Sequence, residues 1–568
     1  MVGVKFDAES KLWSCTEEPK CLDPNECYGT FLLDILSKHG SKVAQINHDT
    51  GVRMTYDELR LKTIRAAQNL QKKGFQYKDV FAFLAVNSDD LCPIVFASFC
   101  MGCTINPLHS TLSKKEIALN LKKTNTKAIF CDVDSYNLIC EALNESQLKV
   151  PIFTFDGQIS TSEPVESLLI QTGNEHEFVS VHGDMLNDIA AIFSSSGTTG
   201  PSKCIAFPYS MIYLSKSIFS IKEGICLSFE PLFWSKWIYY ALSCIMQGST
   251  RIITRYSFSA ALQLEIIEKH KVTFLYIIPS YMSASLKNDL VRTTDLSSVQ
   301  QILVFGGKAS SGIVIETYRY YPNAEIRAGY GLTEIGWNFL WVLNKNGKYS
   351  AGVLCEGVTM KIVDDHGNRC VANVDGEICT KAKYKLIEYL NDTKATAAAF
   401  DNEGFFLTGD IGHFDENGTL HITDRKKDVF KIFHFEAPFA PSEMESYLIT
   451  LPDVQEVCIV CITTGTDEKL PAAVIVRNSN STLSERGFFE LVANHFPKRE
   501  WLRGGVYFVD SLPKTPSGKI IRRKVAELAT EIFHKRGIND PDIQAYIADI
   551  PEEYHKLIAI SSKIAIAK

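Results

Sequence analysis

From Glu26 to about Ser180 short apolar strand-like segments alternate with segments of helical period, and no other feature constrains the fold as much. Residues 55–72 (TYDELRLKTIRAAQNLQK) place apolar side chains at helical spacing, with Thr55 as the cap and Glu58 completing a capping box. Residues 80–85 (VFAFLA) and 127–131 (KAIFC) have the composition of strands, and Asn87-Ser88-Asp89-Asp90 opens the next helix. Parallel strands need crossover connections, so this alternation predicts an α/β fold with a largely parallel sheet. The pattern resumes with a helix at 262–271 and strands at 274–278 and 301–304. The last of these ends in Phe305-Gly306-Gly307, where missing side chains let a ligand or another backbone approach closely.

The texture changes from Gly347 to Asp424, where short strands at 360–364, 376–380, 404–407 and 419–424 predict a β-rich region. Asp365-His366-Gly367 and Glu416-Asn417-Gly418 mark its hairpin turns. The charge cluster Asp424-Arg425-Lys426-Lys427-Asp428 then marks a domain boundary. A smaller α+β pattern follows: helix 442–451, strands 456–463 and 472–476, helix 483–496 and strand 505–508. The segmentation is therefore 1–424, 425–530 and an extension 531–568; a helix is expected over 525–536, and 537–568 carries no motif.

With 568 residues the chain is too long for one core. Its 45% hydrophobic and 22% charged residues exclude wholesale disorder. A net charge of −7 without long runs argues against a nucleic-acid partner. No apolar run reaches the roughly 18 residues of a membrane span; 92–105 comes nearest and fits a buried helix. The 16 cysteines have no framework spacing and the N-terminus has no apolar signal core, which predicts free thiols in a reducing compartment. Neither C-x-x-C pair, Cys100/Cys103 or Cys458/Cys461, is expected to carry metal or redox chemistry. The ending Ile566-Ala567-Lys568 is no S-K-L address, so the expected location is cytoplasmic rather than peroxisomal.

The chemistry centres on Ser194-Ser195-Ser196-Gly197-Thr198-Thr199-Gly200-Pro201-Ser202-Lys203, which follows the strand-like run 186–193 (LNDIAAIF). Glycines let backbone N–H groups turn toward an anion, hydroxyls add donors, and a lysine neutralises charge. The composition is that of a phosphate cradle, without the spacing of a Walker A loop. Four further stretches follow in order: Ala328-Gly329-Tyr330-Gly331-Leu332-Thr333-Glu334, Thr408-Gly409-Asp410, Asp424-Arg425, and Pro513-Lys514-Thr515-Pro516-Ser517-Gly518-Lys519. Each alone is an ordinary loop.

As an ordered set they resemble the adenylate-forming superfamily of acyl-CoA synthetases, 4-coumarate–CoA ligases, firefly-type luciferases and peptide-synthetase adenylation domains. The resemblance covers about residues 26–530. The run from Leu502 to Lys519 is similar to the insect luciferase-like acyl-CoA synthetase branch. It implies a large N-terminal domain of two parallel-sheet β/α subdomains and a β-rich distorted-barrel subdomain, with a small mobile α+β C-terminal domain. The implied reaction is ATP-dependent activation of a fatty or aryl carboxylic acid to an acyl-adenylate, then to its CoA thioester.

The implied substrates and cofactors are ATP, Mg²⁺ and CoA. By resemblance Ser195, Ser196, Gly197, Thr198, Thr199, Gly200 and Lys203 hold the β,γ-phosphates, and Gly306, Gly307 and Tyr330 bracket the adenine. Thr333 binds the α-phosphate and Glu334 holds Mg²⁺. Gly331 lies against both nucleotide and acid, and Trp234 lines the acyl site or serves the core. Asp410 accepts the ribose hydroxyls with Arg425 in support, and Lys519 bridges carboxylate and α-phosphate. The small domain then turns about Lys427.

The chain departs from the family pattern at Phe433 and His434, which stand where relatives carry a lysine and a glycine on the thioester-forming face. Lys308 beside the adenine glycines replaces a small residue, and nothing in the sequence explains it. The alternative to a complete ligase is a catalytically reduced paralogue that binds nucleotide or acyl ligand. A luciferase-type oxygenase is disfavoured because Trp234 replaces an imidazole.

Overall fold

In the computed structural model the capping box at Thr55 forms as the spacing predicts. The Thr55 hydroxyl accepts the Glu58 N–H (3.2 Å), the Glu58 carboxylate accepts the Thr55 N–H (2.7 Å), and the helix runs Tyr56–Lys72. Ser113 and Glu116 do the same for the helix Lys114–Lys123. The structure describes residues 3–16, 26–194, 203–213, 223–431, 438–463, 469–478, 480–514, 520–537 and 540–547. They divide into two units. The larger is built from the chain before the loop at 195, from Lys203 to Met360 and from Thr380 to Phe406. The smaller runs from Lys361 to Cys379 and from Leu407 on.

Two parallel-rich sheets make up most of the larger unit. The seven-stranded sheet has Val80–Leu84 between Thr104–Pro107 and Thr126–Asp132, all parallel. Ile189–Ser194 lies beyond Thr104–Pro107, also parallel, and Cys204–Pro208 closes that side antiparallel. In the nine-stranded sheet the parallel strands Ile225–Ser228, Phe274–Ile277, Gln301–Phe305 and Glu325–Leu332 lie side by side. Gly336–Leu343 then returns antiparallel. Ile225–Ser228, Phe274–Ile277 and Gln301–Phe305 have the near-continuous apolar sequences of strands covered on both faces, whereas Glu325–Leu332 is mostly half-buried. All ten residues of the helix Leu91–Cys100 are buried, which explains why that run carries no polar stripe.

Burial also pushes the Cys100 thiol up to about 12 and raises those of Cys103, Cys458 and Cys461. These thiols stay protonated, whereas metal binding and disulfide exchange use the thiolate. Among the described residues no helix is long and apolar enough to cross a membrane.

The smaller unit contains the three-stranded sheet Val454–Thr463, Lys469–Arg477, Gly505–Phe508, whose first pair is antiparallel and second parallel. The helices Pro441–Leu448, Glu485–His495, Arg522–Arg536 and Pro541–Ile547 contribute to the same core. Val525, Ala529 and Phe533 recur every four residues and are all buried, together with Ile543, Tyr546 and Ile547. The position 530/531 chosen from sequence as the start of an extension falls inside the helix Arg522–Arg536, and the helix Pro541–Ile547 contributes to the same core.

The position 424/425 likewise falls inside the strand Leu420–Arg425. The Asp424 carboxylate accepts the N–H groups of Arg425 (2.8 Å) and Ser442 (2.9 Å), tying that strand to the first turn of the helix Pro441–Leu448. By its contacts this strand belongs to the smaller unit, which takes in Lys361–Cys379 and resumes at Leu407.

Arg522 holds the small unit together at one point. Its guanidinium donates to both oxygens of Glu445 (2.5 and 3.0 Å) and to the Ile459 carbonyl, and it lies 3.6 Å from Asp428. Replacing Arg522 by methionine keeps the aliphatic bulk and strands the Glu445 charge. We expect the variant to lose about 3 kcal/mol of stability, read from chemical denaturation of the full chain.

Candidate active site

The strands Ile189–Ser194 and Cys204–Pro208 form an antiparallel pair joined through the phosphate-cradle loop. Ser195, Ser196, Gly197, Thr198, Thr199 and Gly200 lie outside the described residues, as do His434 and Lys519. Lys203 is described, one residue before Cys204. The free edge of Cys204–Pro208 is covered by residues 386–390: Ala206 N–H donates to the Glu388 carbonyl (2.9 Å), Ile387 N–H to that of Ala206 (2.9 Å) and Leu390 N–H to that of Cys204 (2.8 Å). This register places Tyr389 opposite Ile205.

Tyr389 meets two of the predicted site residues. The Lys203 ammonium sits 4.6 Å from the centre of its ring, and its hydroxyl donates to Glu334 Oε1 at 3.0 Å. Burial and the neighbouring carboxylate both raise the Tyr389 pKa, so the phenol remains a donor. The Leu386 N–H fixes the Glu334 backbone carbonyl (2.7 Å). The ring packs with Ile205, Ile335, Leu386 and Phe406 in a small apolar cluster.

Glu334 is positioned by the reverse turn between the strands Glu325–Leu332 and Gly336–Leu343, in which Ile335 N–H donates to the Leu332 carbonyl (3.2 Å). Thr333 and Glu334 occupy the tip of that turn, and Tyr330 lies on the incoming strand opposite Phe339. The ladder shifts register between Tyr330 and Gly331, and Gly331 then pairs with Trp337. A Cβ on Gly331 would collide with the Gly336 carbonyl oxygen. Gly331→Ala is expected to force the ladder apart at a cost of about 2 kcal/mol, read as a lower thermal midpoint.

Phe305 pairs in parallel with Gly329, so Gly306 and Gly307 leave the sheet alongside Tyr330. Gly306 adopts φ 78°, a conformation open to glycine at little cost. Trp234 is half-buried at the entry to the helix Ser235–Gln247 and packs against the main core.

Asp410 and Arg425 belong to the smaller unit. They face each other across the antiparallel strands Phe406–Phe414 and Leu420–Arg425, with Arg425 Nε 2.9 Å from Asp410 Oδ1. The Asp410 carboxylate is nearly buried and the arginine is half-exposed. Arg425 Nη1 also donates to the Thr408 carbonyl (3.2 Å). The Thr408 hydroxyl, anchored on the Ile378 carbonyl (2.6 Å), accepts the Asp410 N–H (3.1 Å). Burial lowers the pKa of the nearby Lys427.

A model of the AMP-binding enzyme matches residues 34–390, and one of the AMP-binding enzyme C-terminal domain matches 443–519. The chain belongs to the AMP-binding enzyme family. It is thereby a member of the adenylate-forming superfamily, whose CoA ligases use ATP and CoA. It is 28% identical to 4-coumarate–CoA ligase 2 of Nicotiana tabacum over 88% of this chain and 94% of the relative. It is 29% identical to 4-coumarate–CoA ligase 1 of Arabidopsis thaliana over 88% and 92%.

Among solved structures it is similar to the luciferase-like enzyme from the nonluminescent Zophobas morio mealworm. That likeness has a TM-score of 0.67 at 28% identity, over 73% of this chain and 99% of that one. The anthranilate CoA ligase AuaEII shares the fold, with a TM-score of 0.79 at 19% identity over 90% and 98%.

Two residues of this AMP-binding enzyme lie next to predicted site residues without being singled out by the sequence. Tyr389 is one; it follows no motif recognised there, and its significance rests on what Cys204–Pro208 pairs with. His109 is the other. Its ring centre lies 3.9 Å from that of Phe233, beside Trp234, and burial pushes its pKa down to about 4, so it is neutral. Its Nδ1 accepts the Thr111 N–H (3.1 Å), which leaves Nε2 as the protonated nitrogen, buried and without a partner among the described residues.

Proposed function

We propose that this AMP-binding enzyme activates a carboxylic acid, fatty or aryl, with ATP and transfers the acyl group to CoA. The observation that carries the reading is the match of both family models, in order. The chain also carries Lys203, Glu334, Asp410, Arg425 and Lys519 at the positions that the resemblance assigns to the reaction. A carboxylate oxygen attacks the α-phosphorus, the bond to the bridging oxygen breaks, and pyrophosphate leaves. The CoA thiolate then attacks the acyl carbon and AMP departs. Phosphoryl transfer asks the protein for alignment and charge neutralisation.

Lys203 and the 195–200 loop serve the leaving phosphates. Gly306, Gly307 and Tyr330 serve the adenine, and Thr333 the α-phosphate. Asp410 with Arg425 serves the ribose, and Lys519 the developing charge at attack. Gly331 and Trp234 border the acid. Glu334 fits Mg²⁺ in kind: it offers hard carboxylate oxygens, and Tyr389 engages only Oε1. Bound there, Mg²⁺ supplies charge neutralisation for the departing pyrophosphate.

Resemblance supports a domain from about residue 425 that swings about Lys427 between the two half-reactions, gating them. The 28% identity to the mealworm enzyme supports placement in the insect luciferase-like branch. A cytoplasmic location fits this reading.

The test is acid-dependent pyrophosphate release with and without CoA, over acids from acetate to palmitate plus coumarate. Release with acyl-CoA formation supports the ligase. Release without thioester favours the reduced paralogue, for which Phe433 and His434 are the specific observation. No release with any acid removes the enzyme reading.

A further inference from the structure

Lys203 and Glu334 come from separate parts of the chain, and a single side chain touches both. We infer that Tyr389 is a positioning residue that sets the phosphate-binding lysine and the metal-binding carboxylate relative to each other. The inference rests on the roles proposed above for Lys203 and Glu334.

The hydroxyl donates to Glu334 Oε1 and so orients the carboxylate, leaving Oε2 as the oxygen offered to a cation. The ring face receives the Lys203 ammonium at 4.6 Å. A phenol that donates to a carboxylate gains electron density on its ring, so the two contacts reinforce each other. Backbone ties on both sides hold the tyrosine in place: the strand pairing of 386–390 with Cys204–Pro208, and the bond from Leu386 N–H to the Glu334 carbonyl. The ring is 6% exposed, so it occupies one orientation in the apolar cluster instead of swinging in solvent. Such a device orders both groups before ATP arrives, and part of the entropy of binding MgATP is already spent.

The experiment is calorimetric titration of the full chain with ATP, once with excess Mg²⁺ and once with EDTA, for wild type, Tyr389→Phe and Tyr389→Leu. Phenylalanine keeps the packing and the Lys203 contact and deletes only the hydroxyl. It is expected to weaken MgATP binding about tenfold while metal-free ATP stays within about twofold. Leucine removes the ring as well and is expected to weaken metal-free ATP about fivefold. Tyr389→Phe binding MgATP like wild type overturns the inference. So does an equal loss with and without Mg²⁺, which marks a structural role. Thermal midpoints confirm folding, and if Tyr389→Phe is unfolded, Glu334→Gln must show the same Mg²⁺-specific loss or the inference falls. Wild type that binds no ATP overturns the function itself; wild-type binding with an unaffected phenylalanine variant overturns only the role of Tyr389.

Discussion

Replacing Lys519 by alanine is expected to lower acid-dependent pyrophosphate release about 10²–10³-fold, with ATP affinity within about threefold of wild type. The attacking carboxylate and the α-phosphate both carry negative charge, and the transition state brings that charge together on crowded oxygens. A lysine that bridges them acts on the transition state more than on bound ATP, so the loss falls on kcat. Lys519 closes the run Pro513-Lys514-Thr515-Pro516-Ser517-Gly518-Lys519, read from sequence as a loop. The chain brackets this loop by a bridge between Lys514 and Ile520, followed by the helix Arg522–Arg536. Stopped-flow pyrophosphate detection under saturating ATP makes the measurement. A variant that turns over like wild type removes Lys519 from the reaction.

If Asp410 holds the ribose as proposed, Asp410→Asn is expected to raise the KM for ATP about 200-fold while kcat changes little, because two charge-assisted hydrogen bonds to ribose hydroxyls would become weaker neutral ones. The carboxylate is prepared for that role. It is nearly buried and accepts Arg425 Nε at 2.9 Å through Oδ1, and its backbone is held by Thr408. Asparagine keeps the shape but offers one acceptor oxygen in place of two, and its amide faces the arginine poorly. A second readout separates recognition from damage. Wild type should discriminate against 2′-deoxy-ATP, and Asp410→Asn should lose most of that discrimination. Equal KM values for the two nucleotides in wild type would remove Asp410 from ribose recognition.

The agreement between sequence and structure is closest where the signal is local. The helix at 55–72, its capping box, the strand at 505–508 and the two turns at Gly367 and Gly418 depend on residues within four positions of one another. The stretch around Tyr330, an ordinary loop by sequence, is instead the end of a strand, a register shift and a turn tip. Boundaries were less legible. The charge cluster 424–428 resembles a linker by composition, yet Asp424 spends both oxygens on hydrogen bonds that continue the fold through it. The helix Pro541–Ile547 carries no motif because packing against a core demands only apolar residues at helical spacing.

Residue types and local periods determined by themselves that this chain is an α/β protein, and the order of its motifs carried the resemblance to the adenylate-forming superfamily. Tertiary structure alone decided that Tyr389 stands between Lys203 and Glu334, that Asp410 and Arg425 pair across a hairpin, and that Phe533, Ile543, Tyr546 and Ile547 belong to one core. The physical reason is common to the three. Each contact is selected by the packing of segments distant in sequence, and a hydrogen bond or a ring face leaves no periodic trace in the chain that makes it.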